Sequence, residues 1–285
     1  STSSAATDRP LNFREPDSLT FDLNVSTAGQ SGFLSGSNDT PCSSRIDKKQ
    51  VHPSSPAVFH IKICGITTPE DALDAAACGA DALGLNFYSR SVRFLPPAQA
   101  TEIAVAVRSE FPTVQLVGVG VNATLDEVRQ ITAGVSLDAW QLHGDESPEF
   151  LVKLAVSLPQ LRLIRAFRCR NADLTQEAAY LQSCRTLGRL PDAVLVDAYA
   201  PSAYGGTGRV VDWHAVQRGS EQLFHLPLVL AGGLTPENVA VAIQASQADA
   251  VDVASGVEVS PGRKDPDKVR DFISEAKRAF GLISR

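Results

Sequence analysis

From Val58 onward the chain alternates eight times between a short apolar run and a segment compatible with a helix. That alternation is the signature of βα units and constrains the fold more than any other feature. The runs are VFHIKICGI, ADALGLNFY, VQLVGVGVN, LDAWQLHG, LRLIRAF, DAVLVDAYA, LPLVLAGG and ADAVDVASG. Several helix starts are legible as caps: Thr68 stands before Pro69 with Asp71 in the first turn, and Thr124 is followed three positions on by Glu127. Other helices are predicted from about Pro97, over SPEFLVKLAVSL, from about Leu174, after Asp212 and after Thr235. In the last segment Val269, Phe272, Ile273 and Ala276 recur at i, i+3, i+4 and i+7, one apolar face of a terminal helix. Eight such units in about 228 residues predict an α/β fold, a parallel (β/α)8 TIM barrel whose active end is formed by the loops after the strands. A doubly wound sheet is the competing architecture. It would more readily carry G-x-G-x-x-G after the first strand, where this chain has Cys64-Gly65-Ile66.

Residues 1–57 read differently: 17 are Ser or Thr, and long periodic segments are few. They are read as an irregular N-terminal extension in which LTFDLNV alternates enough for one strand, and HPSSP marks the boundary with a barrel domain over 58–285. The chain contains no Met, even at position 1, so residue 1 is not taken as a biological start.

A net charge of -6 offers no field for a polyanionic backbone, which argues against nucleic acid as partner. Five widely spaced cysteines without a C-x-x-C pair argue against a disulfide framework and a structural zinc, and favour a reducing, cytoplasmic setting. No uninterrupted apolar stretch is long enough for a spanning helix, and the opening residues lack the pattern of a signal peptide, although a truncated targeting segment stays open. The scattered histidines point to no catalytic metal. Oligomeric state stays open between monomer and homodimer.

Candidate chemistry collects at strand ends. Cys64 closes the first strand, and Asp197 closes the sixth after three aliphatic residues. Strands one and six lie roughly opposite in a barrel of eight, so the two address one small ligand as an acid and base pair. For that role Cys64 has to become a thiolate, with help expected from adjacent helix N–H groups. Cys42, Cys78, Cys169 and Cys184 lack strand-end placement in this reading. Alternation sends His60, Lys62 and Cys64 to one face, so a buried Lys62 needs a partner, and Asp252 in the eighth strand is the predicted one. Glycine-rich pieces follow three successive strands: Gly205, Gly206, Thr207 and Gly208 after the sixth, Gly232 and Gly233 after the seventh, and Ser255 and Gly256 after the eighth. They point to a phosphate group on the ligand. Arg93, or alternatively Arg90, offers a fork for a carboxylate, and His143 either orients a substrate oxygen or ties down its loop.

The ordered set KICGITTPEDA, FYSRSVRF, QLHGDE, LVDAY with GGTG and DW, LAGGL with TPENV, and VDVASGVE with SPGRKD closely resembles the phosphoribosylanthranilate isomerase family over His60 to Phe280. The resemblance implies a cofactor-free Amadori rearrangement of an anionic phosphosugar substrate in tryptophan synthesis. It also implies that Cys64 is the general base, Asp197 the general acid, Arg93 the carboxylate anchor and the glycine-rich loops the phosphate site. The chain departs from the family pattern at SVR, where SPR or SKR is more usual, and at ASG, where SSG is common. Another phosphosugar isomerase, and a catalytically silent barrel used for binding, are the alternative functions.

Overall fold

The computed structural model describes residues 58–169, 174–197 and 213–283. The extension, its strand at LTFDLNV, the boundary at residue 57 and the GGTG turn fall outside the described residues.

Eight parallel strands close into a barrel in sequence order: β1 (Ile61–Cys64), β2 (Ala82–Asn86), β3 (Gln115–Gly120), β4 (Ala139–Leu142), β5 (Arg162–Arg168), β6 (Ala193–Asp197), β7 (Leu228–Ala231) and β8 (Ala250–Val253). Pairing of β8 with β1, with Lys62 opposite Asp252, completes the ring and excludes an open doubly wound sheet. The helices are α1 (Pro69–Ala77), α2 (Pro97–Glu110), α3 (Leu125–Gly134), α4 (Pro148–Ser157), α5 (Thr175–Thr186), α6 (Trp213–Gly219), α7 (Val239–Ser246) and α8 (Pro266–Ala279).

Helix starts follow from local chemistry. The Thr68 hydroxyl accepts from the Asp71 amide, while Thr124 and Glu127 form a reciprocal capping box, satisfying amides that have no partner within the helix. The helix expected directly after Thr235 starts later, at Val239, because the Asn238 side chain accepts from the Thr235 amide and donates to the Gly233 carbonyl, holding a turn there. A further difference lies after β8. What reads as a loop contains a two-stranded antiparallel hairpin, β9 (Glu258–Ser260) and β10 (Arg263–Lys264), turning at Gly262 with φ +83°.

The period of two along each strand sorts side chains into two cores. Ala82, Val117, Ala139, Ile164, Ala166, Ala193, Leu195, Val229 and Ala250 fill the barrel interior. Ile61, Ile63, Leu83, Leu85, Leu116, Val194, Val196, Leu230 and Val251 belong to the outer core, shared with helix residues such as Ile103, Phe272 and Ile273. Lys62 is fully buried on the inward face of β1, with its ammonium 3.0 Å from Asp252. The predicted pair is thus formed, across the seam where the last strand meets the first.

Candidate active site

Continuing the same alternation one residue pair further brings the inward positions to the C-terminal mouth of the barrel. Cys64 from β1, Asn86 from β2, Val119 from β3, His143 after β4 and Asp197 from β6 all line one cavity there. Gly232, Gly233, Ser255 and Gly256, from the turns after β7 and β8, complete its wall, and Arg93 reaches it from the loop after β2. Every predicted site residue within the described part therefore meets at one place. Gly205, Gly206, Thr207 and Gly208 lie outside the described residues, and the alternative Arg90 is exposed and does not line the cavity.

The turn after β8 approaches the loop after β7 so closely that a Cβ on Gly256 would sit 1.8 Å from the Leu234 carbonyl oxygen. Gly65 has φ +75°, and a Cβ there would lie 2.3 Å from Arg93 Cδ, so the arginine stem packs directly over the end of β1.

Electrostatics around the thiol differ from the sequence expectation. Helix α1 begins at Pro69, five residues beyond Cys64. Burial and the Asp252 carboxylate push the Cys64 thiol above its ordinary value, opposed by Lys62 and Lys264. The resting group is therefore the neutral thiol, and the two lysines are charges that favour a thiolate. Lys62 itself stays charged: burial alone would lower its pKa, but the neighbouring Asp252 carboxylate, through its charge and its hydrogen bond, works against burial, and the net shift is upward.

Arg93 is not waiting free for a ligand carboxylate. Its Nε and Nη2 donate to the two oxygens of Glu258 at 2.7 and 2.6 Å, a bidentate pair that leaves Nη1 unused by that contact. Burial would raise the Glu258 carboxyl, yet the hydrogen bonds from Arg93 and Lys264 hold it below the usual range. The Lys264 ammonium bonds Glu258 at 2.9 Å and also donates to the carbonyls of Cys64 and Ala254 at 2.7 and 3.2 Å. Glu258 thus faces the cations under the site, a role that sequence reading missed. The signal available was only that two charges follow β8 close together, with partners up to 200 residues away.

On the opposite side His143 bonds through Nδ1 to Gln141 Nε2 at 2.8 Å, and its Nε2 lies 3.9 Å from Asp197 Oδ2. Burial, with Arg168, Lys62 and Arg165 nearby, brings the imidazole pKa down to about 4, so the ring is neutral at physiological pH. Cys169 requires a correction. It directly follows β5 and so does sit at a strand end, but it is buried, its thiol donates to Glu177 at 3.6 Å, and burial pushes its pKa up to about 12. Among the described residues no group of His, Cys, Asp or Glu has the arrangement of a metal site.

A closed parallel barrel with a thiol, a carboxylate, an imidazole, an arginine and glycine-rich turns converging at the strand C-termini defines a TIM-barrel enzyme acting on a small anionic ligand. The sequence profile of N-(5'-phosphoribosyl)anthranilate isomerase matches residues 61–275, and on that match the chain belongs to this isomerase family. It is 47% identical over 220 residues to the N-(5'-phosphoribosyl)anthranilate isomerase of Citrifermentans bemidjiense, covering 76% of this chain and 97% of that one. It is 45% identical over 217 residues to the corresponding protein of Neisseria gonorrhoeae, covering 76% and 96%. Among solved structures, the phosphoribosyl anthranilate isomerase of Thermotoga maritima superposes with a TM-score of 0.66 at 38% identity, covering 77% of this chain and 99% of the other. Another, a phosphoribosyl anthranilate isomerase in complex with reduced 1-(o-carboxyphenylamino)-1-deoxyribulose 5-phosphate, gives 0.63 at 36% identity, with 77% and 99% covered.

Proposed function

We propose that the protein catalyses the rearrangement of N-(5'-phosphoribosyl)anthranilate to 1-(2-carboxyphenylamino)-1-deoxyribulose 5-phosphate, with Asp197 as general acid and Cys64 as general base and no cofactor. The observation that carries this reading is that the ends of β1 and β6 place Cys64 and Asp197 on the wall of a single cavity that also takes in Arg93 and the turns after β7 and β8.

Asp197 gives its proton to the ribose ring oxygen as the bond from that oxygen to C1 breaks, and the nitrogen lone pair forms the C1=N iminium. Cys64 first releases its thiol proton to solvent, with Lys62 and Lys264 favouring the anion, and the thiolate then takes the proton from C2. The C–H electron pair becomes the C1=C2 bond, and the iminium pair returns to nitrogen. The resulting enolamine becomes the ketone by losing the hydroxyl proton at C2 and gaining one at C1. Arg93 uses Nη1 for the anthranilate carboxylate, held in place by Glu258, and the phosphate sits against Gly232, Gly233, Ser255 and Gly256. The loss of a hydroxyl at Ala254, compared with the usual family pattern, is tolerated because backbone amides supply the phosphate donors.

Four cysteines of the described part are free, and no described helix is long and apolar enough to cross a membrane. The test is a fluorescence assay of phosphoribosylanthranilate consumption by the purified full chain, Cys64→Ala and Asp197→Asn. The unmutated chain turns over without added metal or nucleotide, and each variant loses about 10²- to 10⁴-fold in kcat, the scale of general acid–base catalysis. Inactivity of the folded unmutated chain, or near-normal turnover by both variants, overturns the reading.

A further inference from the structure

A continuous line of polar contacts runs from the barrel interior to the acid side of the site. Lys62 Nζ, paired with Asp252, donates to Gln141 Oε1 at 2.9 Å, and Gln141 Nε2 lies 2.8 Å from His143 Nδ1. The chemistry of each group fixes the direction of the next. An ammonium only donates, so the Gln141 atom facing it is the carbonyl oxygen. The other end of the amide is then NH₂, which only donates, so His143 Nδ1 must accept and carries no proton. In the neutral ring the proton is left on Nε2, the atom 3.9 Å from Asp197 Oδ2.

We infer that Lys62 and Gln141 are positioning residues that lock His143 as its Nε2–H tautomer, presenting a fixed hydrogen-bond donor beside Asp197. The inference rests on the acid role given to Asp197 above. The device has two effects. With Nδ1 engaged and Nε2 already protonated, His143 has no lone pair facing the cavity and cannot take the proton that Asp197 must deliver. Once that proton has left, the new carboxylate finds an N–H aimed at it, which a shift of about an ångström brings into hydrogen-bond range. Lys62, fully buried and held by Asp252, thus sets the protonation geometry of a group on the far side of Gln141 without touching the substrate.

Long-range ¹H–¹⁵N correlation spectra of the full chain labelled with [¹⁵N]histidine read the tautomer directly, with the His143 signals assigned by their loss in His143→Gln. In the unmutated protein Nε2 is expected to be protonated and Nδ1 bare. In Gln141→Glu the carboxylate still accepts from Lys62 but has nothing to donate, so the proton moves to Nδ1, and kcat falls roughly tenfold, the weight of one hydrogen bond, with little change in KM. A protonated Nδ1 in the unmutated chain overturns the inference even if the variant fails to fold. An unchanged tautomer in Gln141→Glu overturns it too, and a switched tautomer with unchanged kcat removes the link to Asp197. The spectrum needs no turnover, so an inactive wild-type enzyme would defeat the assigned reaction while leaving the tautomer question separately answered.

Discussion

At the scale of single residues the site is a set of opposed demands on protonation. His143, lowered to about 4 in the fold from an ordinary 6.5, binds fewer protons folded than unfolded between those two values. Stability from this group is therefore fully present above about pH 6.5 and is lost as pH falls through about 4. The difference corresponds to on the order of 3 kcal/mol. Urea unfolding at pH 7 and pH 4.5 is expected to show a steeper loss for the unmutated chain than for His143→Gln. Arg93 makes a second prediction. Arg93→Lys keeps the charge but not the fork that binds Glu258, so KM should rise about tenfold or more while the fold persists, as read from steady-state kinetics and circular dichroism. The placement of Cys64 and Asp197 on one cavity wall and the Lys62–Asp252 pair were legible from strand ends and alternation alone. Glu258 and Lys264 were not, because their meaning depends on Arg93 and the end of β1, distant in sequence and adjacent only after the barrel closes.

At the scale of elements, the strands and most helix starts were legible because their signals are local: a period of two, a Thr or Ser cap, a Pro in the first turn. The late start of α7 and the β9–β10 hairpin were not. Each depends on a particular side-chain or cross-strand bond that leaves no periodic trace. The junction of the turns after β7 and β8 carries an element-level prediction. Gly256→Ala drives a Cβ into the backbone oxygen of Leu234, so one turn must move away from the other. Affinity for inorganic phosphate, or for the product as a competitive inhibitor, should fall by about tenfold or more, with stability reduced by roughly 1–3 kcal/mol as in other overpacked sites. Isothermal titration and urea unfolding of the variant check both.

At the scale of the whole molecule, the ring is fastened at its seam by a charge pair inside the barrel. Lys62→Met removes the cation and leaves the Asp252 carboxylate buried against the end of the barrel core. The expected cost is about 3–5 kcal/mol in urea unfolding, the range for breaking a buried pair from one side. Lys62→Met combined with Asp252→Leu should recover part of that loss of stability, because no lone charge then remains. The seam also has a consequence in time. Arg93 waits for Glu258 across 165 positions, and the Cys64 carbonyl waits for Lys264 across 200, while β1 can only be flanked on its second side by β8. A chain emerging from the ribosome therefore holds its thiol and its arginine long before it holds the groups that orient them. The cavity at the strand C-termini is completed by the eighth βα unit, so products of translation truncated before it carry Cys64 and Arg93 without the groups that surround them.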